Sequence, residues 1–205
     1  MTDTPMNPVM NPTEPSNANT TGILRLFVYG TLKRGFWNHD RFCRGVLAVE
    51  DAVVRGRLFE KSSGIPVLQV PEEDILAVGT TNPHADVATC LRAETHRQAQ
   101  ARVVARMSNP EPTPDRLPNK GTGAPWGDVY GELLTFDDPE NRLPAIDRLE
   151  GFHPGGQSLY SRVLVPVCMD KERRLTAWAY VAGRSILPRD LRQLKEVSVW
   201  NPDRK

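Results

Sequence analysis

Apolar residues in this chain gather in short runs bounded by Gly, Pro and Asp, more often than they recur at helical intervals. The first run, Ile23-Leu24-Arg25-Leu26-Phe27-Val28-Tyr29, is rich in β-branched and aromatic residues and stops at Gly30, which predicts a buried strand ending in a tight loop. Asn38 to Cys43 follows as one or two helical turns closed by Gly45. Val46 to Glu60 resumes a strand pattern with Gly56 as a bulge or bend. Ser62-Ser63 then turns the chain into a short strand, Gly64 to Val70, where Pro66 predicts an edge position.

The character changes between Pro71 and Pro125. A helix is expected from Ala85 to Met107, followed by a loop carrying Pro110, Pro112, Pro114, Pro118 and Pro125. A small domain rarely needs so long a connection, so residues 71–125 read as an insertion, part helix and part flexible loop. Val87, Leu91, Val103 and Val104 imply that its helix docks on something. Two readings stay open for it, a solvated helix without function and a lid over an active site.

Strand character returns from Asp128 to Phe136. Asp138 then caps a helix with Pro139 at its first position, and Pro144 repeats the signal, predicting two short helices in series, the second carrying Ile146 and Leu149. Gly151 is the expected left-handed terminator. Leu159 to Met169 and Leu175 to Val181 form two more strands around an Asp170 to Arg174 turn. Beyond Pro188 lies a polar tail, or a last helix packed through Leu191, Leu194, Val197 and Trp200. The expected organisation is a disordered tail over 1–22, one domain over 23–187, and a tail or helix over 188–205. A mainly β domain with a few short helices is an α+β fold.

Composition narrows the function classes. At 205 residues the chain suffices for one domain with a substantial core. Lys and Arg total 26 against 25 for Asp and Glu, so no long-range field draws nucleic acid or an anionic membrane. Three scattered cysteines, Cys43, Cys90 and Cys168, make neither a disulfide framework nor a zinc site and fit a reducing compartment, the cytoplasm. Residues 1–21, rich in Pro, Asn and Thr, lack the basic start and apolar run of a signal peptide. No stretch approaches the roughly 20 apolar residues of a membrane span.

The most informative stretch is Phe27-Val28-Tyr29-Gly30-Thr31-Leu32-Lys33-Arg34-Gly35, which resembles the YGTL-x-x-G signature of the γ-glutamyl cyclotransferase-like superfamily, especially its γ-glutamylamine cyclotransferase branch. Gly56-Arg57-Leu58-Phe59 with Gly64-Ile65-Pro66-Val67 is similar to a second element of that family, and Val129-Tyr130-Gly131-Glu132-Leu133 to a third. Ile146-Asp147-Arg148-Leu149-Glu150-Gly151-Phe152 resembles its LD-x-LEG helix end, and Tyr160-Ser161-Arg162 its Y-x-R strand. The five stand in the family's order. The resemblance implies a small mixed β-barrel with short surrounding helices, cleavage of a γ-glutamyl amide to 5-oxoproline, no metal or other cofactor, and one essential glutamate, which carries over to Glu150. The long insertion departs from the compact members, and Ser161 replaces a common arginine.

The residues support that chemistry by themselves. In a γ-glutamyl compound the α-amino group and the δ-carbonyl belong to one molecule, so ring closure asks the protein to fold the substrate and move a proton. Glu150 follows Leu149 at a predicted helix C-terminus near Phe152, where the helix dipole and desolvation both raise a carboxyl pKa. A strand turning at Gly30 presents backbone N–H groups of Tyr29, Gly30, Thr31 and Leu32 to a carboxylate or a developing oxyanion. Lys33 and Arg34 either attract an anionic substrate or are solvated. His153 reads as a surface residue, Tyr160 and Arg162 as ties between strands, and His39, His84 and His96 show no ligand spacing. The expected partner is a small γ-glutamyl compound, with two alternatives on the same fold: a non-catalytic binding module, and a biosynthetic enzyme that removes a γ-glutamyl protecting group.

Overall fold

β1 (Leu24–Val28) has no polar face because both its faces are covered. Leu24, Leu26 and Val28 join one buried cluster, while Phe27 joins another. After it come α1 (Trp37–Phe42), β2 (Ala48–Glu60), β3 (Pro66–Gln69), β4 (Ala77–Val78), α2 (Pro83–Met107), β5 (Gly127–Phe136), α3 (Pro139–Glu150), β6 (Tyr160–Cys168), β7 (Arg174–Ala182), α4 (Pro188–Leu191) and β8 (Lys195–Val197). The structure, a computed structural model, describes residues 22–107, 125–170, 173–183, 186, 188–191 and 193–201. The N-terminal tail up to residue 21 and the proline loop up to Ala124 lie outside the described residues, as do the side chains of Val103 and Val104.

Strands β2, β5, β1, β7 and β6 are neighbours in that order, and the pairing of Val53 with Cys168 returns β6 to β2, closing a five-stranded barrel. Only β1 and β7 run parallel within it; the other pairings are antiparallel. The fold is α+β, a small mixed barrel with helices around it. Its interior is filled from all five strands, by Phe27, Val54, Leu133, Val165 and Ala179 among others. Its outer face carries Leu134, Phe136, Leu164 and Trp178 against Leu143 and Ile146 of α3. β2 runs unbroken through Gly56, where its partner changes from β5 to β3. β3 ends the sheet, as Pro66 predicted.

The insertion begins inside the sheet rather than as a loop. Ala77 and Val78 pair with Leu164 and Val163 of β6. α2 starts at Pro83 and packs on α3 and β7. Val87 is buried as expected, but Leu91 is 64% exposed. Buried polar groups take over the docking. Asp86 pairs with Arg162 at 2.8 Å, and Glu94 accepts a hydrogen bond from the Thr176 N–H at 2.9 Å. Apolar spacing does not announce such contacts.

Two further expectations are corrected. α3 is one helix with Pro144 inside it, held by the fully buried Leu143 and Ile146, and not two in series. The C-terminal segment makes a short helix, α4, and then a strand: β8 pairs with Leu58, Phe59 and Glu60 of β2, so Val197 is in a sheet and not on a last helix. Trp200 beyond it is buried, with its indole N–H donating to the Gly64 carbonyl at 3.0 Å.

Candidate active site

β1 delivers Tyr29, Gly30, Thr31 and Leu32 to the mouth of the barrel, and α3 delivers Glu150 from its last turn. All five line one cavity of about 420 Å³. That volume lies within the roughly 300–1,000 Å³ usual for small-molecule sites.

The loop turns tightly, with the Lys33 N–H donating to the Gly30 carbonyl at 3.1 Å. α1 braces it and lines the same cavity through Trp37 and Asn38. Asn38 donates through Nδ2 to Thr31 Oγ1 at 2.8 Å, and His39 Nδ1 meets the Leu32 carbonyl at 2.8 Å. Tyr29 is a tie: its hydroxyl donates to the Tyr180 carbonyl at 2.7 Å and accepts from the Leu68 N–H at 3.4 Å. The phenol is therefore spent on the scaffold, and only the backbone of Tyr29 is left for a ligand. The N–H groups of Gly30, Thr31 and Leu32 find no acceptor among the described residues. Three successive amides without acceptors beside a cavity can receive an anion.

Glu150 ends α3 because Gly151 adopts a left-handed φ of 61° and turns the chain away. Among the described residues no hydrogen bond or ion pair reaches its carboxyl. Burial pushes that carboxyl up to about 7. Desolvation is the cause of the rise. Tyr29 and Tyr160 both feel the Glu150 charge, which adds to the upward push that burial gives their phenols. A carboxyl held up by burial in a cavity that unfilled N–H donors also line can take up and return a proton while the donors hold negative charge.

The last turn of α3 is fixed from behind. Asp147 accepts from the Tyr180 hydroxyl at 2.6 Å and from Arg162 Nε at 2.9 Å. Arg162 is fully buried between the rings of Phe152 and Trp178, and its side chain joins Asp86 of α2 to Asp147 of α3 instead of one strand to the next. Lys33 donates to the Trp200 carbonyl at 3.0 Å, and Arg34 pairs with Glu132 at 3.0 Å, which gives both loop cations structural partners. His153 is exposed. Tyr160 does more than tie strands: it donates to the Pro66 carbonyl at 2.9 Å and also lines the cavity. Among the described residues no group of His, Cys, Asp or Glu could hold a metal ion, and no helix is long and apolar enough to cross a membrane.

Sequence reasoning missed Trp37, Ile65, Leu159, Tyr180 and Trp200, which line the same cavity. No part of α2 is among the lining residues, so the described portion of the insertion is a brace on the outer barrel face.

Solved structures similar to this one include the crystal structure of an AIG2-like protein from Mus musculus, 17% identical, covering 88% of this chain and 89% of that one, with a TM-score of 0.46. YkqA from Bacillus subtilis is 19% identical over 80% of this chain and 38% of that one, with a TM-score of 0.38. A protein of Arabidopsis thaliana solved in solution is 14% identical, covering 85% and 78%, with a TM-score of 0.43. A search of curated proteins gave no match. The sequence profile described as "Gamma-glutamyl cyclotransferase, AIG2-like" matches residues 26–82 and 75–201, a span that takes in both the Tyr29 to Leu32 loop and Glu150, and the chain belongs to that family.

Proposed function

We propose that the protein is a cyclotransferase that cleaves γ-glutamyl amines, releasing 5-oxoproline and a free amine. The observation that carries this reading is an unpartnered carboxyl, Glu150, sharing one cavity with the unfilled N–H groups of Gly30, Thr31 and Leu32.

The substrate's α-nitrogen attacks its own δ-carbon, a C–N bond forms, and the bond from that carbon to the leaving nitrogen breaks. Glu150 accepts the proton that the α-nitrogen loses and returns it to the departing nitrogen. Atoms balance within one substrate molecule, without water or a co-reactant. The loop amides hold the oxygen that becomes negative as the carbonyl carbon turns tetrahedral. Folding the donor so that its two ends meet supplies much of the acceleration, since well-oriented intramolecular reactions reach effective molarities of roughly 10⁵ to 10⁸ M. Cys43, Cys90 and Cys168 are all unpaired, which favours the cytoplasm as the site of action.

The test is incubation with a panel of γ-glutamyl amines and dipeptides, with 5-oxoproline followed by mass spectrometry. Product from at least one donor, abolished in Glu150→Gln, is expected. No product from any donor would instead favour a binding module on this fold.

A further inference from the structure

We infer that the leaving amine of the substrate is bulky and apolar, an arylalkylamine or similar, held by a rim formed by Trp37, Ile65 and Leu159. The inference rests on the cyclotransferase reading above and deepens it by naming the substrate class.

The three rim side chains come from three different parts of the chain: Trp37 opens α1, Ile65 follows the Gly64 turn, and Leu159 precedes β6. Each lines the cavity that holds Glu150 and the loop. Yet they are 69%, 50% and 59% exposed, respectively. An isolated exposed apolar residue needs no account, but three around one opening make a surface that a ligand can cover. Deeper in the same wall stand Tyr160 and Trp200, the latter with its ring 5.3 Å from that of Phe36. Aromatic walls favour a flat apolar group, through offset or edge-on contact as well as area.

Charge points the same way. Glu150 is the one formally charged side chain among the lining residues, and it is committed to the proton. Three cations contact or neighbour lining residues and each has a partner: Lys33 donates to the Trp200 carbonyl, Arg34 pairs with Glu132 and Asp51, and Lys61 stands over the Tyr160 ring. A leaving group such as the side-chain amine of lysine carries an ammonium and a carboxylate at its far end. Among the lining residues the carboxylate would meet no cation and the ammonium no carboxylate other than Glu150, and contact with the apolar rim would cost both some water. An uncharged apolar amine loses nothing there and buries the rim.

The experiment compares γ-glutamyl amides of 2-phenylethylamine, ethylamine and the lysine side chain. The phenylethyl amide should show kcat/KM at least about tenfold above both others, since even one methylene in an apolar site discriminates by roughly tenfold or more. Trp37→Ala, at a mostly exposed position, should pull the phenylethyl to ethyl ratio down about tenfold. Leu159→Asp should reverse the preference towards the monoamide of 1,5-diaminopentane, whose free end is cationic. Calorimetric affinities for the same donors, taken with Glu150→Gln, give the order of binding without turnover. Equal or faster turnover of the ethyl or lysine amide overturns this inference and leaves the cyclotransferase reading intact. If no donor yields 5-oxoproline but the phenylethyl compound still binds Glu150→Gln best, the reaction is wrong and the rim stands. A flat binding order removes the rim.

Discussion

The Tyr180 hydroxyl donates to Asp147 at 2.6 Å, three residues ahead of Glu150 on α3. Asp147 also receives Arg162, which reaches in the opposite direction to Asp86 on α2 at 2.8 Å. A buried chain of polar contacts thus runs from the insertion helix, by way of Arg162 on β6, to the turn that holds the candidate proton carrier. Burial raises the Asp147 carboxyl above its ordinary value by more than Arg162 and the Tyr180 hydroxyl pull it down.

Asp86→Ala should therefore destabilise the whole domain and not just free one helix. Arg162 is fully buried and would lose a 2.8 Å partner, while the Thr80 N–H and hydroxyl would lose their acceptor. Breaking a buried ion pair from one side costs about 3–5 kcal/mol. For a chain of this size that lowers Tm by about 6–20 °C, at about 2–4 °C per kcal/mol, measurable by thermal denaturation. A loss of only a degree or two would mean that α2 is an accessory to the barrel.

The proton carrier sets the pH profile. Glu150 must be ionised to accept a proton, and its carboxyl is held up to about 7 by burial. Turnover of a γ-glutamyl amide should accordingly rise through neutrality and not near the ordinary carboxylate range. Glu150→Gln should lower kcat by about 10²–10⁴, the usual worth of a positioned acid–base group, while the donor's Kd changes little. Steady-state kinetics from pH 5 to 9, paired with calorimetry on the variant, decide this. A rate limb centred near pH 4.5 would assign the proton transfer to another group.

The same group makes a separate statement about stability. Its folded value, about 7, lies above the usual 4.5, so the folded state binds the proton more tightly than the unfolded chain does. The penalty for ionising it in place is absent below the lower value, grows between the two, and is complete above the higher one. At about 1.4 kcal/mol per unit its ceiling is about 3 kcal/mol, and water in the open cavity screens this to about half. Glutamine copies the neutral acid and escapes the penalty. Glu150→Gln should thus melt about 3–6 °C above the parent at pH 8 and together with it at pH 4.5, by differential scanning calorimetry at both values.

Local chemistry made part of this site legible. The apolar run into Gly30 gives the strand and its loop, and Pro139 and Gly151 mark the two ends of α3, because a proline at the first position and a left-handed terminator act over a few residues; the Asp138 side chain caps no backbone N–H and pairs with Arg142 instead. What stayed hidden depends on distant contacts. Pro144 reads as a second helix start, but burial of Leu143 and Ile146 on the barrel outweighs the one backbone hydrogen bond that proline forgoes. β8 has three residues, too few for alternation to be visible, and it exists because the far end of β2 has an open edge. Trp200 enters the cavity only because β8 carries it there. The rim of Trp37, Ile65 and Leu159 brings together the start of α1 and two loops, a juxtaposition that no spacing along the chain encodes.

The Gly131 position tests whether the loop is held by the strand beside it. In β5, Gly131 faces Ala52 of β2 on one side and the end of β1 on the other. A β-carbon there would stand 2.3 Å from the Val28 carbonyl oxygen and 2.7 Å from the Phe27 ring, well inside contact distance. The Val28 carbonyl is backbone and cannot rotate away. Gly131→Ala must therefore push β1 from β5 at the point where the chain enters Tyr29, displacing the amides that line the cavity. Overpacking of this kind costs about 1–3 kcal/mol, a loss the domain should survive folded. Turnover should fall further than stability does, with kcat reduced about tenfold or more because a shift of about 1 Å at a positioning element is felt in the rate. Parallel measurement of Tm and kcat on this variant separates the two effects. A variant that melts lower but turns over at the parent rate would show that the loop keeps its geometry independently of β5, through its contacts with Asn38 and His39 alone.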